Sequence, residues 1–381
     1  MPVISLTAKK NNNSMQLNKI DILNFKNIPE ARLEFSPGVN CLLGMNGMGK
    51  SNLLEAVYFL SMSRPLHSMP ESALVRHGQD MMMVKGDYLT DIGGDENVSC
   101  GIVKGKGKTL KRNGKEYARI SEHIGKFPIV SVLPSDSEIV SGSGENRRRL
   151  LDMVISQADP LYLAQLIKYN RSLESRNRML RAGVRDALLF ESIESGLCAA
   201  AAEIHSSRRE WTEKIRPVFE RYYSLISGDA EKASIKYKSV LNDADMQSVL
   251  NNSRQKDVVL GYTSQGIHRD DLQTGLGDYS MRRLGSQGQV KSFTIALKFA
   301  IFDYLRQTGG QTPILLLDDI FDKLDSNRVG RIMEAVSGGE SFGQIFITDT
   351  NREHLDETIS SIRSESRLFE VTEGEFKLVT A

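Results

Sequence analysis

GMNGMGKS, at residues 44–51, is the stretch that decides the fold. It has the G-x-x-x-x-G-K-S spacing of a phosphate-binding loop, in which glycines let backbone N–H groups surround phosphate oxygens. The lysine of such a loop reaches the terminal phosphates, and the serine offers a hydroxyl group to Mg²⁺. A short apolar run precedes the loop, and a helix predicted over residues 52–61 follows it. The positive N-terminal end of that helix then faces the bound anion, so the stretch predicts an α/β nucleotide-binding fold.

The composition of the 381 residues is ordinary for a globular protein, with 40% hydrophobic and 25% charged residues. The formal net charge is +1, which neither supports nor excludes nucleic-acid binding, because a local basic patch is what matters. The three cysteines, Cys41, Cys100 and Cys198, lack CxxC spacing, and the histidines form no metal-ligand pattern. Without a long apolar window or a signal-peptide core, we expect a reduced, cytoplasmic protein.

The pattern along the chain indicates one α/β unit interrupted by helices. Apolar runs at residues 39–43, 314–317 and 344–348 alternate with helices, as is typical of a parallel sheet. Helical spacing dominates from about residue 147 to residue 227. We therefore predict four segments, namely a disordered leader (1–14), the N-terminal part of the α/β unit (15–146), a mainly helical insertion (147–258) and the C-terminal part of the α/β unit (259–381).

A second element of a phosphate site is predicted where the apolar run 314–317 ends in Asp318 and Asp319. In a Walker B strand the first carboxylate holds Mg²⁺ through its water shell, and the second orients or deprotonates the attacking water. The alternative is a strand that simply leaves the core at two acidic residues. The phosphate loop favours the nucleotide interpretation, and Asp325 then follows at the spacing of a D-loop.

The stretch RRLGSQGQVKS, residues 282–292, has two interpretations. Taken alone, it is an ordinary turn that caps a helix predicted from about Val290. Its place before the Walker B strand instead favours the signature loop of ATP-binding-cassette (ABC) ATPases. In that loop a serine, backbone N–H groups and a helix N-terminus meet the γ-phosphate held by the other protomer. This interpretation requires two chains arranged head to tail.

The motifs together carry a family resemblance. NFKN, GMNGMGKSNLLEAVYFLS, NRRRLLD, YNRSLESRNRML, GIHRDDL, SQGQ and LLLDDIFDKLD occur in this order from Met15 onward. The chain thus resembles the RecF family of bacterial recombination-mediator ATPases. These are relatives of the structural-maintenance-of-chromosomes (SMC) ATPases without the long coiled coil. The resemblance implies an ABC/SMC-type P-loop ATPase head with a split lobe I and an inserted, mainly helical lobe II.

The resemblance also implies a function. It implies an ATP-dependent homodimer that hydrolyses ATP slowly, with Mg²⁺ and stimulation by DNA, in replication and recombinational repair. It implies binding to duplex DNA and to single-strand/double-strand junctions at gaps. The implied partners are RecR, together with RecO and RecA in the pathway, without a membrane. A cassette-type regulator without DNA activity and a small-molecule P-loop kinase are the alternatives, although SQGQ has no role in a monomeric kinase.

The family's functional residues transfer to matching positions of this chain. The resemblance assigns catalytic roles to Lys50, Asp318 and Asp319, and Mg²⁺ contacts to Ser51 and Asp318. The implied phosphate contacts within one chain are Gly44, Asn46, Gly47, Gly49, Lys50, Ser51 and Asn52. The implied contacts to the partner's nucleotide are Ser286, Gln287, Gly288 and Gln289, and Asp325 is the implied D-loop residue of the nucleotide site.

Several positions depart from the family pattern. Ser51 stands where threonine is common, VKS replaces a more polar run after the signature, and SRPLHS (63–68) is less basic than expected. The switch histidine of transporter cassettes is absent near Thr348 and Asp349, and Asp136 is a candidate for the Q-loop position. HRDD, residues 268–271, lacks the context of a kinase catalytic loop. We expect it either near the nucleotide or dimer face, or in structural salt bridges.

A candidate DNA-binding segment surrounds the turn predicted at Asn113 and Gly114. Interleaved glycines would let the backbone approach phosphates closely, and without aromatic neighbours we expect phosphate contacts rather than base stacking. A solvated edge hairpin protected by its lysines is the alternative. The basic residues of this segment are Lys104, Lys106, Lys108, Lys111, Arg112 and Lys115.

Overall fold

A computed structural model describes residues 15–90, 94–228, 231–321, 324–337, 342–361 and 365–379. The leader expected at residues 1–14 lies outside these residues. Within them, no helix combines the length and apolar character that a membrane span requires.

A six-stranded sheet forms the centre of the predicted ATPase lobe. Its adjacent strands are parallel except for a C-terminal hairpin. In spatial order they are β15 (Glu375–Val379), β14 (Ser366–Thr372), β3 (Val39–Leu43), β13 (Ile345–Asp349), β12 (Ile314–Asp318) and β8 (Ile129–Val132). β12 and β13 are buried along their whole length, as expected of strands covered on both faces. The parallel order brings the carboxyl ends of β3, β12 and β13 to one edge of the sheet.

A second sheet is entirely antiparallel. In spatial order it contains β2 (Ile28–Glu34), β1 (Met15–Phe25), β4 (Met81–Thr90), β5 (Gly94–Val103), β6 (Gly107–Arg112) and β7 (Lys115–Glu116). The predicted turn at Asn113 and Gly114 is confirmed, and both residues have positive φ, 52° and 76°. This is the geometry of a two-residue hairpin turn, which asparagine and glycine tolerate best.

Helix α1 (Lys50–Met62) lies between the two sheets and contacts strands of both. Every residue from Leu53 to Met62 is buried, so the helix is enclosed on all sides. It begins two residues earlier than predicted because Gly49, in the left-handed conformation, serves as its N-cap. The helix therefore starts directly at the lysine of the phosphate loop.

A mainly helical region follows, as predicted. Asp159 and Asp186 cap α4 and α5 by accepting hydrogen bonds from backbone N–H groups. The elements of this region are α2 (Glu138–Ser141), α3 (Gly144–Ala158), α4 (Pro160–Arg181), α5 (Ala187–Ser227), β9 (Ala233–Lys238) and α6 (Met246–Leu260). Because β9 pairs with a strand beyond residue 259, the division of the chain at 258 stays a proposal.

The remaining elements return the chain to the central sheet. They are β10 (Asp271–Leu276), β11 (Tyr279–Ser280), α7 (Met281–Leu284), α8 (Gln287–Gly309), α9 (Ser326–Ser337) and α10 (Arg352–Ser361). The buried helix α8 packs against α5 and β8. Both core faces of the central sheet are thereby covered, α1 lying on one and α8 on the other.

The HRDD segment forms structural salt bridges, which is one of the two roles expected for it. Asp270 is buried and pairs with Arg208 of α5 at 2.9 Å, while Asp271 pairs with Arg147 of α3 at 2.6 Å. His268 hydrogen bonds to the hydroxyl of Tyr169. These bonds connect the helical region to the start of β10. Burial raises the pKa of Asp270, and Arg208 opposes that shift.

Candidate nucleotide-binding site

The phosphate loop connects β3 to α1 in the predicted strand–loop–helix arrangement. Gly47 and Gly49 have φ values of 83° and 115°, which residues other than glycine rarely adopt. The Nζ of Lys50 donates to the carbonyl oxygens of Gly44 at 2.6 Å and Met45 at 3.0 Å. The lysine thus lies across its own loop, where a phosphate group would replace the carbonyl oxygens as its partner.

The hairpin of β14 and β15 supports the outer side of this loop. A Cβ atom on Gly44 would lie 2.4 Å from the carbonyl oxygen of Val371, so only glycine fits there. The N–H of Gly374 donates to the carbonyl of Met48 at 2.7 Å. These C-terminal contacts were not predicted, because the residues involved are more than 300 positions from the loop.

The NFKN motif forms the turn between β1 and β2 and reaches the loop from the other sheet. Asn52 donates to the Oδ1 of Asn27 at 2.7 Å, and Asn27 donates to the carbonyl of Gly47 at 3.4 Å. Lys26 forms an ion pair with Glu55 of α1. The motif therefore fixes the loop and helix α1, a role that its sequence did not reveal.

The two halves of the predicted metal site meet directly. Ser51 Oγ donates to Asp318 Oδ1 at 2.9 Å, although 267 positions separate the residues. No cluster of three or more His, Cys, Asp or Glu side chains suited to a metal occurs in the described segments. A hydroxyl and one carboxylate are nevertheless the hard oxygen donors that fit Mg²⁺, which takes its remaining ligands from phosphates and water.

The second Walker B carboxylate belongs to a residue with unusual backbone geometry. Asp319 has φ 48°, in the left-handed region. Its backbone N–H donates to Thr348 Oγ1 at 3.1 Å, and its carbonyl oxygen accepts from Lys291 Nζ at 3.3 Å. The same Thr348 hydroxyl donates to Asp318 Oδ1 at 2.7 Å. Sequence reasoning assigned no role to Thr348, whose only signal is a polar residue ending an apolar strand.

Charge at the site is balanced between one buried cation and several carboxylates. Burial lowers the pKa of Lys50, while Asp318, Asp319 and Asp349 act to raise it. The three carboxylates come from the ends of two adjacent strands. A triphosphate entering the loop would add negative charge here, which a lysine and a divalent cation together would neutralise.

The position of the missing switch histidine is occupied by a different arrangement. Asp349 Oδ1 accepts from the backbone N–H groups of Thr350 and Asn351 at 2.6 and 2.8 Å. Its Oδ2 lies 3.0 Å from Nδ1 of His354, on α10. The side chain of Asp349 therefore fixes the start of α10.

The signature stretch begins a helix, as predicted, but three residues earlier than expected. Ser286 and Gln289 form a capping box, each side chain bonding to the backbone N–H of the other. Ser286 and Gln287 are exposed, as is the large side chain of Leu284. The signature thus combines a capped helix N-terminus with a surface that another subunit can cover.

Arg328, on α9, connects the signature helix to the predicted D-loop. Its guanidinium lies 3.3 Å from the carboxylate of Asp325 and donates to Ser292 Oγ at 3.2 Å. A Cβ atom on Gly288 would lie 3.0 Å from the same guanidinium. Nothing in the sequence pattern distinguished Arg328 from other surface arginines.

The candidate Q-loop residue Asp136 has local partners. It accepts from the backbone N–H of Leu133 at 2.8 Å and pairs with buried Lys298 of α8 at 3.0 Å. This links the candidate Q-loop segment to the signature helix. Its role toward nucleotide stays a prediction.

The basic segment near Asn113 divides into paired and exposed residues. Lys108 pairs with Glu71, and Arg112 Nε donates to Glu96 at 2.7 Å. The other four, Lys104, Lys106, Lys111 and Lys115, are exposed. Their contact with DNA stays a prediction.

Comparisons with known proteins agree on one family. Residues 16–374 match the model of the RecF/RecN/SMC N-terminal domain. The chain is 48% identical to the DNA replication and repair protein RecF of Porphyromonas gingivalis, covering 95% of this chain and 99% of that protein. Its identity to the protein of the same name from Phocaeicola vulgatus is 46%, covering 95% and 98%.

Solved structures give the same result. A structure of the recombination mediator protein RecF with ATP, described as part of the RecFOR pathway, matches with a TM-score of 0.86. The sequence identity is 29%, over 96% of this chain and 98% of that chain. The Smc head domain of Pyrococcus furiosus matches at 16% identity with a TM-score of 0.57, over 96% of both chains, and shows the fold alone.

Proposed function

This chain belongs to the RecF branch of the RecF/RecN/SMC family, and from that premise we propose an ATP-dependent DNA-binding protein of replication and recombinational repair. It binds ATP with Mg²⁺, dimerises around the nucleotide and hydrolyses it slowly, with stimulation by gapped DNA. The carrying observation is that the signature is exposed at the start of α8, while the phosphate loop and Walker B residues meet elsewhere in the same chain.

The residues of one chain perform most of the binding. Lys50 exchanges its two loop carbonyl partners for phosphate oxygens. Ser51 and Asp318 would hold Mg²⁺ through their hydroxyl and carboxylate oxygens, which already lie 2.9 Å apart. When bound, Mg²⁺ neutralises charge on the phosphates. Asp319 orients the attacking water and accepts its proton.

The second chain completes the site. The capped N-terminus of α8 presents its positive end and backbone N–H groups to the γ-phosphate of the partner. ATP can bridge two chains in this way, whereas ADP lacks the bridging phosphate. Hydrolysis therefore shifts the equilibrium from dimer to monomer, and the dimer holds DNA until hydrolysis releases it.

The DNA target is duplex DNA and its junctions with single strands at gaps, with RecR, RecO and RecA as pathway partners. The exposed lysines of the β5–β6–β7 region supply phosphate contacts, which carry no base preference. The proposed location is cytoplasmic, at the nucleoid.

Two measurements test this function together. The first is sedimentation with ATP and with ADP, and the second is ATPase activity with and without gapped DNA. We expect a dimer only with ATP and faster turnover with DNA. Lys50→Arg should abolish the stimulated turnover, whereas Lys236→Arg, at an exposed position on β9, should not.

The alternatives give different results. An ATP-dependent dimer whose turnover ignores DNA would identify a cassette-type regulator. Phosphoryl transfer to a small molecule by a monomer would identify a kinase. Full turnover in Lys50→Arg would contradict the assignment of the phosphate loop.

A further inference from the structure

We infer that Thr348 is a positioning residue for ATP hydrolysis, because one hydroxyl fixes both the carboxylate of Asp318 and the backbone of Asp319. This inference rests on the function proposed above and deepens it. It concerns a residue at the end of β13, near the position at which transporter cassettes carry a switch histidine, and it assigns a role to that residue.

The position of Thr348 follows from the sheet. β13 lies between β3 and β12, and in the parallel register Thr348 pairs with Asp318. Its side chain is 0% exposed and points to the end of the Walker B strand rather than to solvent. No solvent molecule competes strongly for a hydroxyl buried in this way, so its hydrogen bonds define a single orientation.

The direction of both bonds is determined by chemistry. An ionised aspartate only accepts hydrogen bonds, and a backbone N–H only donates. The single proton of Thr348 Oγ1 must therefore point to Asp318 Oδ1, 2.7 Å away. Its lone pair receives the N–H of Asp319 at 3.1 Å. The hydroxyl group of Thr348 thus forms hydrogen bonds with two consecutive Walker B residues, Asp318 and Asp319.

Each of these two hydrogen bonds has a distinct effect. Asp318 Oδ1 accepts hydrogen bonds from two hydroxyl groups. One belongs to Ser51, a residue of the phosphate loop that is assigned to Mg²⁺, and the other belongs to Thr348, which lies outside that loop. Asp319 has φ 48°, a conformation that costs about 1 kcal/mol for a residue with a side chain. The bond to its N–H helps to hold that conformation, which sets the direction of the catalytic carboxylate.

A purely structural hydroxyl would have different consequences. Its loss would lower stability and leave catalysis and metal dependence unchanged in the folded protein. Loss of a positioning hydroxyl leaves nucleotide binding intact without metal, lowers kcat and raises the Mg²⁺ concentration needed for half-maximal activity. Outer-shell partners of metal sites typically contribute about 10-fold to 100-fold.

The test compares Thr348→Val with Thr348→Ser and with a matched control, Thr212→Val. Thr212 is also 0% exposed, and its hydroxyl donates to the carbonyl of Arg208 in α5, so the control removes a buried hydroxyl elsewhere. Three quantities are measured on each full-length protein: the unfolding temperature, the Kd for ATP in EDTA, and kcat against Mg²⁺ concentration.

We expect Thr348→Val to lower kcat by about 10-fold or more and to raise the half-saturating Mg²⁺ concentration several-fold. Its Kd for ATP in EDTA should stay within about twofold of the wild-type value, since the substitution affects the metal-dependent reaction and not the binding of ATP itself. Thr348→Ser keeps the hydroxyl and should resemble the wild type. Thr212→Val should leave kcat and the Mg²⁺ requirement unchanged.

Two outcomes overturn the inference. One is unchanged kcat and Mg²⁺ dependence in Thr348→Val, and the other is equal impairment in Thr348→Ser, which would point to packing of the methyl group. If Thr348→Val does not fold, Thr348→Cys, with its weakly hydrogen-bonding thiol, takes its place under the same criteria. An inactive wild type would instead refute the proposed function, so the two failures are distinguishable.

Discussion

At the scale of single residues, the first glycine of the phosphate loop has a packing role as well as a conformational one. Gly44 approaches the main chain of β14 so closely that a Cβ atom would lie 2.4 Å from the carbonyl oxygen of Val371. A main-chain atom in a sheet cannot turn aside as the end of a side chain can. The loop or the strand would therefore have to move.

Gly44→Ala should lower both stability and ATP affinity. Overpacking of this kind typically costs about 1–3 kcal/mol, and the displaced strand also supports the loop. Urea unfolding and ATP titration measure the two effects. Gly309→Ala is the control, because a Cβ built there lies more than 4 Å from the described residues that pack around this end of α8. Equal stability of the two variants would contradict the close approach.

A buried histidine predicts how stability depends on pH. His123 is 0% exposed, and its ring lies near those of Tyr117 and Phe127. Its Nε2 lies 2.7 Å from the carbonyl of Leu60 and donates to it. Burial lowers the pKa of His123 to about 4 from its ordinary value of 6.5. The folded protein therefore keeps this ring neutral over a range in which the unfolded chain is protonated.

Stability should fall as the pH decreases from about 6.5 to about 4, since only the unfolded state binds the proton there. The decrease due to this group is on the order of 3 kcal/mol. His123→Gln should reduce the difference in urea midpoint between pH values of about 7.5 and about 5. Some difference should remain, because burial also lowers the pKa of His268 to about 4. An unchanged pH dependence would contradict the burial of His123 in its neutral form.

At the scale of elements, α8 and α9 are joined by Arg328, which contacts Ser292 and Asp325. Both helices begin near residues assigned to the nucleotide site, Ser286 before α8 and Asp325 before α9. Arg328→Gln removes the ion pair and should weaken ATP-dependent dimerisation by about 10-fold, which corresponds to about 1.4 kcal/mol.

Sedimentation over a concentration series with ATP measures this change. Arg352→Gln is the control, because the ion pair of Arg352 with Asp356 on α10 is exposed and contributes little. Nucleotide binding by the monomer should be equal in both variants. If the two variants dimerise equally well, the connection through Arg328 has no role in assembly.

The β5–β6–β7 region supplies a second prediction at this scale. Replacing its four exposed lysines, Lys104, Lys106, Lys111 and Lys115, by glutamine should weaken binding to all DNA sequences equally. The slope of log K against log[salt] is negative, and its magnitude should decrease by about 0.9 for each phosphate that the variant no longer neutralises. The matched control replaces three exposed lysines of the β9 region, Lys232, Lys236 and Lys238. An unchanged slope would support the alternative of a solvated edge hairpin.

At the scale of the whole molecule, the proposed division of one site between two chains allows a complementation experiment. Lys50→Arg damages the phosphate loop, and Ser286→Arg damages the signature. In a head-to-tail dimer of the two variants, one site combines both undamaged halves. Each variant alone should be inactive, whereas an equal mixture should regain up to about a quarter of wild-type activity. A mixture as inactive as its components would contradict the shared site.

Much of the fold was predictable because its signals are local. Apolar runs and turn residues located β3, β12, β13 and the hairpin at Asn113, and helical spacing located α4 and α5. The start of α8 was misplaced because a capping box extends the helix to Gln287. Cap geometry depends on one side-chain bond rather than on periodicity.

The sequence by itself predicted the chemistry of the candidate site, since Lys50, Ser51 and Asp318 belong to motifs whose residue types and spacing indicate phosphate and Mg²⁺ binding. Only the tertiary structure brought Ser51 to Asp318 and revealed the contacts of Thr348, Gly374 and Arg328. It also paired Lys108 and Arg112 with carboxylates and placed HRDD within buried ion pairs. The physical reason is that a motif consists of residues close together in the sequence whose types and spacing suit a ligand. Contacts between elements join residues that are tens to hundreds of positions apart, and no local pattern encodes them.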